Sequence, residues 1–296
     1  MIVRLAKNSG FCFGVKRAIK IAEDEAQKRG EKLVTIGPII HNPQVVKRLE
    51  DLDIHSIDDI NEIEGTPAII RSHGISKESI KMLLEKNVDI IDATCPYVAK
   101  LLSTGAKLSQ EGYFIVVFGT KDHPEVLALT SYLSSDFIVV DSVEEIPDLK
   151  AKKVALISQT TQTFSTFKKL VEKILDTTFE LHIVNTICNA TTIRQNSTKN
   201  LAQESDLMII VGGKMSSNTR MLAKISQEFA ETHHIETKKE LNIEWFADKK
   251  RIGISAGAST PDDLIIEVYN NIINISGSVK IVNSINDIPV FKEETR

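Results

Sequence analysis

Short apolar segments alternate with amphipathic segments along most of the chain. Apolar runs predict strands at 33–36, 68–71, 89–93, 113–118, 137–140, 153–158, 180–185, 206–211 and 251–256. Between and around them, apolar residues recur at helical spacing and predict helices at 14–29, 43–51, 76–87, 96–110, 124–134, 164–177, 190–204, 217–230 and 261–274. Strands that alternate with helices in this way are typical of βαβ units. The pattern therefore predicts parallel α/β sheets.

Composition limits the class of protein further. A length of 296 residues suggests two domains or three small ones. The formal charge of -4 argues against non-specific nucleic-acid binding, which requires a basic surface. No run approaches the ~18 apolar residues of a membrane span, and the first residues lack the apolar region of a signal peptide. We therefore expect a cytoplasmic globular protein that binds neither nucleic acid nor membranes.

Three cysteines stand at similar places in the pattern. Cys12, Cys95 and Cys188 are separated by 83 and 93 residues, and 108 residues follow the last. Each comes after an apolar run and before a helical pattern that contains a cation. The odd number and the lack of a CxxC pair argue against a disulfide framework. The recurring pattern predicts a weak structural repeat in which each cysteine lies near a helix N-terminus. That position favours a thiolate, so we expect three thiolates.

The residues alone leave three interpretations of these cysteines open. They could converge on an iron–sulfur cubane in which one iron lacks a protein ligand and acts as a Lewis acid. They could hold zinc together with a fourth ligand, commonly histidine. They could also be unrelated core residues, since unpaired cysteine is among the most buried residue types.

Polar peptides follow the predicted strands, at the edge where open α/β sheets bind ligands. These strand-end positions contain the candidate binding residues His41, His73, His123, Ser216, Ser217, Asn218 and Ser259, and they also contain Thr160. Hydroxyls, amides and glycine-exposed N–H groups at helix N-termini suit an anion, although an ordinary loop or helix cap explains each residue taken singly. No Walker A or GxGxxG motif is present, which favours a small diphosphate or polycarboxylate over a nucleotide.

Glu125 follows one of these loops directly, in the first turn of the predicted helix 124–134. An acidic residue there is either a favourable partner of the helix dipole or, in a closed site, a proton donor. The sequence alone does not distinguish these two roles of Glu125.

The peptides 10–15, 92–96 and 187–191 resemble the three cluster-binding motifs of the 4-hydroxy-3-methylbut-2-enyl diphosphate reductase family, and the resemblance runs from about residue 3 to 282. It implies three small parallel-sheet α/β lobes in a pseudo-threefold trefoil around a central [4Fe–4S] cluster. The implied lobes span 13–95, 96–187 and 188–282; the N-terminal strand 1–12 packs with the third, and a tail occupies 283–296. One cluster per chain would have three cysteine ligands and one open iron.

The resemblance also implies a role for each candidate residue. Cys12, Cys95 and Cys188 would be the cluster ligands, Glu125 would donate protons, and the eight strand-end residues would contact an allylic diphosphate. The implied reaction is reductive dehydroxylation to isopentenyl and dimethylallyl diphosphate, with ferredoxin or flavodoxin as electron donor. A quinolinate-synthase-like dehydratase is the alternative enzyme, and a metal or electron carrier the non-enzymatic one.

The chain departs from the family pattern outside these residues. Asn8 and Ser9 stand where the family usually has Pro and Arg. Asp262 or Asp263 stands where the family often has a Trp, shortly after Ser259. Each departure lies beside a predicted site peptide, so we expect it to affect loop packing and helix docking while leaving the candidate site residues in place.

Overall fold

The computed structural model describes residues 1–149, 153–276 and 280–281. The chain begins with strand β1 (Ile2–Leu5) and helix α1 (Phe13–Arg29). Three sheets follow, and every strand pair within the described residues is parallel. The expected parallel α/β architecture is therefore confirmed.

The first sheet has the order β3-β2-β4-β5. Its elements are β2 (Leu33–Ile36), α2 (Pro43–Glu50), β3 (Ile54–Ile57), β4 (Ala68–Ile70), α3 (Lys77–Glu85) and β5 (Ile90–Asp92). The central strands β2 and β4 are buried along their whole length. Ser76 caps α3 by accepting a hydrogen bond from the backbone N–H of Ser79, which explains why the helix begins there.

The second sheet has the order β7-β6-β8-β9. Its elements are α4 (Pro96–Gln110), β6 (Phe114–Phe118), α5 (Pro124–Ser131), β7 (Phe137–Val140), β8 (Lys153–Ser158), α6 (Phe164–Leu175) and β9 (Glu180–Ile183). Both α4 and α5 begin with proline, whose missing N–H is harmless in a first helical turn. Helix α6 packs Phe167, Leu170 and Ile174 onto the sheet at helical spacing.

The third sheet has the order β11-β10-β12-β1-β13, so the N-terminal strand lies inside it. Its other elements are α7 (Asn189–Gln203), β10 (Leu207–Val211), α8 (Ser217–Gln227), β11 (Glu231–Ile235), β12 (Arg251–Ala256), α9 (Asp262–Ser276) and β13 (Lys280–Ile281). Strand β1 pairs with β12 from Ile2 opposite Arg251 to Leu5 opposite Ile254.

The three sheets share one strand order, which is the structural repeat that the cysteine spacing predicts. In each sheet the first strand (β2, β6 or β10) lies between the second (β3, β7 or β11) and the third (β4, β8 or β12). The fourth position is held by β5, β9 and β1. These are the strands that precede Cys95, Cys188 and Cys12 in the chain. The repeat therefore assigns every cysteine to an equivalent strand.

The sequence prediction missed three edge strands, the two-residue β13 and the longer β3 and β11. The last two have the sequences Ile-His-Ser-Ile and Glu-Thr-His-His-Ile, and each pairs with a single strand among the described residues. A strand at a sheet edge needs little apolar surface, because its backbone hydrogen bonds are supplied by the partner. Hydrophobic pattern therefore detects central strands such as β10, which is fully buried, better than edge strands.

The chain divides into two compact units. One contains residues 1–12, 41–43 and the chain from Asn189 onward, and hence the third sheet; the other contains 13–40 and 44–188, and hence the first two sheets. No helix in the described part of the chain is long and apolar enough to cross a membrane. The predicted tail 283–296 lies outside the described residues.

Candidate active site

A helix begins at the residue after each cysteine. Cys12 precedes α1, Cys95 precedes α4 and Cys188 precedes α7. All three are partly exposed thiols that form no disulfide with one another. Each cysteine therefore lies at the N-terminal end of a helix, which is the positive end of the helix dipole.

The backbone N–H of each cysteine donates to a carbonyl in the loop that follows the third strand of its sheet. Cys95 donates to the Ser72 carbonyl at 3.0 Å, Cys188 to that of Thr160 at 3.0 Å, and Cys12 to that of Ala258 at 3.1 Å. These loops contain predicted binding residues, namely His73, Thr160 itself and Ser259. Each cysteine is thus fixed, through its own main chain, beside a predicted binding residue or that residue's neighbour.

The loop before Cys12 has a backbone that most residues avoid. Asn8 has φ 59° and Gly10 has φ 87°, both in the left-handed region. A Cβ at Gly10 would also lie 2.5 Å from Oδ1 of Asp262. Both the positive φ and this close contact therefore require glycine at position 10. Proline, fixed near φ -65°, could not adopt the conformation of Asn8. The backbone of this loop is thus one in which asparagine fits and proline does not.

Glu125 is buried, with 2% of its surface exposed, and its carboxylate faces Thr160. The Thr160 N–H donates to Oε1 at 2.6 Å, and the Thr160 hydroxyl donates to Oε2 at 2.8 Å. Burial raises the pKa of Glu125 from its usual 4.5 to about 7, against the two hydrogen bonds, which lower it. A glutamate that served only the helix dipole would remain in solvent, so the geometry favours the proton-donor role.

Burial of this carboxyl predicts a pH dependence of stability. The pKa rises from 4.5 to about 7, and each pKa unit corresponds to about 1.4 kcal/mol of unfolding free energy. The whole shift therefore changes the free energy of unfolding by roughly 3 kcal/mol. The folded state binds the proton more tightly than the unfolded state, so this stability is present below pH 4.5 and is lost as pH rises to 7. We expect Glu125→Gln to gain stability relative to wild type over that range.

Urea unfolding of the two apo-proteins between pH 4.5 and 8 measures this difference directly. The same substitution at Glu78, an exposed first-turn glutamate of α3, controls for the loss of one charge. A constant difference between Glu125→Gln and wild type across the range would contradict the raised pKa.

Two of the predicted histidines lie together. The rings of His73 and His123 are 5.6 Å apart between centroids and meet edge to face at 77°. Nδ1 of His123 accepts the N–H of Glu125 at 3.2 Å, which caps α5 and assigns that ring nitrogen as an acceptor. The loops after β4 and β6, which belong to different sheets, therefore bring two imidazoles together at the start of α5.

The third sheet brings together the predicted hydroxyl and amide groups. Ser216 caps α8, and its Oγ lies 3.5 Å from that of Ser259, which also lies 3.4 Å from the His41 carbonyl. A Cβ at Gly213 would lie within 2.4 Å of the same carbonyl, so glycine permits the close approach of the His41 segment. The loop after β10, the loop after β12 and residues 41–43 thus meet in one place.

Asn218 is the most informative residue of this group. It is 4% exposed, and neither its Oδ1 nor its Nδ2 has a hydrogen-bond partner within the described ranges. Ser217, its neighbour, is 8% exposed. A buried amide without partners costs about 1–3 kcal/mol. Such a cost is expected where a ligand supplies the missing bonds.

The sequence prediction missed Gln159, which organises the strand-end loop around Thr160. Its side chain is fully buried; Oε1 accepts the Thr120 N–H at 3.0 Å, and Nε2 donates to the Thr161 hydroxyl at 2.9 Å. It thereby joins the loops after β6 and β8. Its position directly before Thr160, at the end of a buried strand, is the signal that could have identified it.

Known proteins are similar to this chain over most of its length. The sequence model of the family described as LytB protein matches residues 3–273. The 4-hydroxy-3-methylbut-2-enyl diphosphate reductase of Aquifex aeolicus is 48% identical over 276 residues, which are 92% of this chain and 96% of the relative. The reductase of the same name from a Nitratiruptor species is 48% identical over 279 residues, with coverages of 93% and 99%.

Solved structures are similar as well. One is described as (E)-4-hydroxy-3-methyl-but-2-enyl diphosphate reductase, the terminal enzyme of the non-mevalonate pathway. It is 48% identical, covers 92% of this chain and 99% of its own, and has a TM-score of 0.67. The E-1-hydroxy-2-methyl-but-2-enyl-4-diphosphate reductase from Plasmodium falciparum is 27% identical, with coverages of 97% and 93% and a TM-score of 0.90.

Proposed function

Because the chain belongs to the LytB family, we propose that it reduces 4-hydroxy-3-methylbut-2-enyl diphosphate. The substrate, two electrons and two protons give isopentenyl or dimethylallyl diphosphate and one water. The C–O bond of the allylic alcohol breaks, and a C–H bond forms on the allyl group. An electron donor such as ferredoxin or flavodoxin supplies the electrons.

We propose further that Cys12, Cys95 and Cys188 hold one [4Fe–4S] cluster. Three thiols, each at a helix N-terminus and none in a disulfide with another, are a donor set that suits iron and sulfide. When bound, the cluster supplies electrons one at a time and offers, at the iron without a cysteine ligand, a Lewis acid for the substrate hydroxyl. The same set with a histidine would suit zinc, so iron and sulfide analysis is part of the test.

One observation carries the proposal. Each cysteine N–H donates to a carbonyl in a loop that contains a candidate substrate residue, and this bond recurs in all three repeats. The repeated bond couples the position of every thiol to that of the group expected to contact substrate.

The polar residues of the third sheet are suited to the diphosphate. The hydroxyls of Ser216 and Ser259 and the unpartnered amide of Asn218 lie at the start of α8, whose N-terminus favours an anion. His41, whose carbonyl accepts the Ser259 hydroxyl, belongs to the same unit. Held at this end, the substrate would be oriented before reaction.

Glu125 is suited to proton delivery. With a pKa of about 7, it is protonated in about half of the molecules near neutral pH, and the Thr160 hydroxyl is its hydrogen-bond partner. We propose that the proton passes from Glu125 through Thr160 to the leaving hydroxyl. His123, which accepts the Glu125 N–H, keeps the start of α5 in place.

Asn218→Ala provides a test of the diphosphate site. We expect kcat/KM to fall about 10–100-fold, mainly through KM, because hydrogen bonds to a charged group contribute about 1.5–3 kcal/mol. Stability should not fall, since the amide has no partner to lose among residues the structure describes. Steady-state kinetics and thermal unfolding measure both, with exposed Asn200→Ala of α7 as control. An unchanged KM would place the diphosphate elsewhere.

The proposed function is tested anaerobically. The chain is reconstituted with iron and sulfide, reduced viologen is added, and its oxidation is followed after addition of 4-hydroxy-3-methylbut-2-enyl diphosphate. Substrate-dependent oxidation with five-carbon diphosphate products is the expected result. Full iron and sulfide without oxidation would reject the reaction, and failure to take up iron and sulfide would reject the cluster.

A further inference from the structure

Arg17 donates a hydrogen bond to the residue before a cysteine. Its Nη1 lies 3.0 Å from the Thr94 carbonyl. The Thr94 N–H donates to Oδ1 of Asp92 at 2.8 Å, and the Cys95 N–H donates to the Ser72 carbonyl. The peptide groups on both sides of Thr94 are thereby fixed, and Arg17 is the only charged donor among these three contacts.

Arg194 makes the equivalent contact near a different cysteine. Its side chain is 3% exposed, and Nη1 donates to the carbonyl of Asn8 and, at 3.4 Å, to that of Ala256. Asn8 is the left-handed residue of the loop that leads to Cys12, and Ala256 ends β12. The guanidinium therefore joins the strained loop to the strand end beside it.

The two arginines lie at similar, not identical, positions in the structural repeat. Arg17 lies five residues after Cys12, and Arg194 lies six residues after Cys188, each in the helix that begins at its cysteine. From there Arg17 reaches the residue directly before Cys95, and Arg194 reaches a residue four positions before Cys12. The planar guanidinium offers several donors in fixed directions and keeps its charge when buried, which suits it to carbonyl acceptors. Lys100, the corresponding cation of α4, is exposed.

We propose that Arg17 and Arg194 are positioning residues for the three-cysteine site: each connects the helix that follows one cysteine to the backbone segment that leads to another. This inference rests on the proposed function, since it assigns the site to an iron–sulfur cluster. Residues that orient metal ligands typically change metal affinity or activity 10–100-fold when removed. Their two positive charges also favour an added electron nearby, so they raise the reduction potential of the cluster.

The test uses anaerobically reconstituted full-length protein. We compare wild type with four variants in iron and sulfide content, rate of iron release to a chelator, and reduction potential. The variants are Arg17→Gln, Arg17→Lys, Arg194→Gln and Arg194→Lys. Lys100→Gln and Arg220→Gln, both at exposed helical positions, are the matched controls. Circular dichroism of the apo-proteins checks folding. If Arg194→Gln does not fold, the variants of the half-buried Arg17 are sufficient to test the inference.

We expect the glutamine variants to release iron about 10–100-fold faster than wild type and to have a lower reduction potential. The lysine variants should keep the potential, because charge is retained, while releasing iron at an intermediate rate. The controls should match wild type. If wild type holds its cluster and Arg17→Gln holds it equally well, only this inference is overturned. If wild type takes up neither iron nor sulfide, the proposed function and this inference both fail.

Discussion

Glu125→Gln should retain its iron and sulfide and still turn over about 10²–10⁴-fold more slowly than wild type, the usual contribution of a positioned proton donor. Glutamine has nearly the shape of glutamate, and its carbonyl oxygen can still accept the Thr160 N–H that now bonds to Oε1. The Thr160 hydroxyl can turn to accept the new amide N–H. The variant therefore keeps the local contacts and lacks only an acidic proton.

The kinetic constant that changes distinguishes loss of the proton donor from a structural defect. We expect kcat to fall while KM changes far less, because in the proposed reaction Glu125 acts on the leaving hydroxyl and residues of the third sheet bind the diphosphate. Viologen oxidation against substrate concentration separates the two constants. Glu78→Gln, the same change at an exposed first-turn position, should leave both unaltered. Wild-type turnover in Glu125→Gln would remove this residue from proton transfer.

Cys95→Ser should abolish turnover by removing a cluster ligand. We expect iron to fall from about four atoms per chain to three or fewer, because the cubane is held by cysteine thiolates and serine is a poor replacement for one. The fold should survive. Cys95 is the N-cap residue of α4 and its thiol makes no capping bond, whereas serine is among the preferred capping residues.

Two measurements on one preparation make this test decisive. Iron and sulfide analysis reports the cluster, and thermal unfolding of the apo-protein reports the fold, which should be as stable as wild type or more stable by about 1 kcal/mol. Cys12→Ser and Cys188→Ser should lose iron in the same way, since the three residues are equivalent in the repeat. Iron content equal to wild type in Cys95→Ser would exclude it as a ligand.

The sequence by itself determined the central strands, the amphipathic helices and the equivalence of the three cysteines. Strands such as β10 are buried on both faces and must be apolar, and helix starts such as that of α4 are set by local chemistry, here a proline. These signals depend on neighbours in the chain. The strand-end positions indicated the candidate binding residues, and the resemblance then supplied a role for each, where local pattern alone allowed ordinary loop and capping residues.

Only the tertiary structure decided the rest. Edge strands β3 and β11 depend on a partner strand that their own residues do not specify. The resemblance implied that the N-terminal strand packs with the third lobe, and the structure adds that β1 lies between β12 and β13, with Ile2 opposite Arg251. The role of Glu125 depends on its burial against Thr160, 35 residues away, because desolvation raises its pKa. Such effects arise from contacts distant in sequence, so no local pattern encodes them.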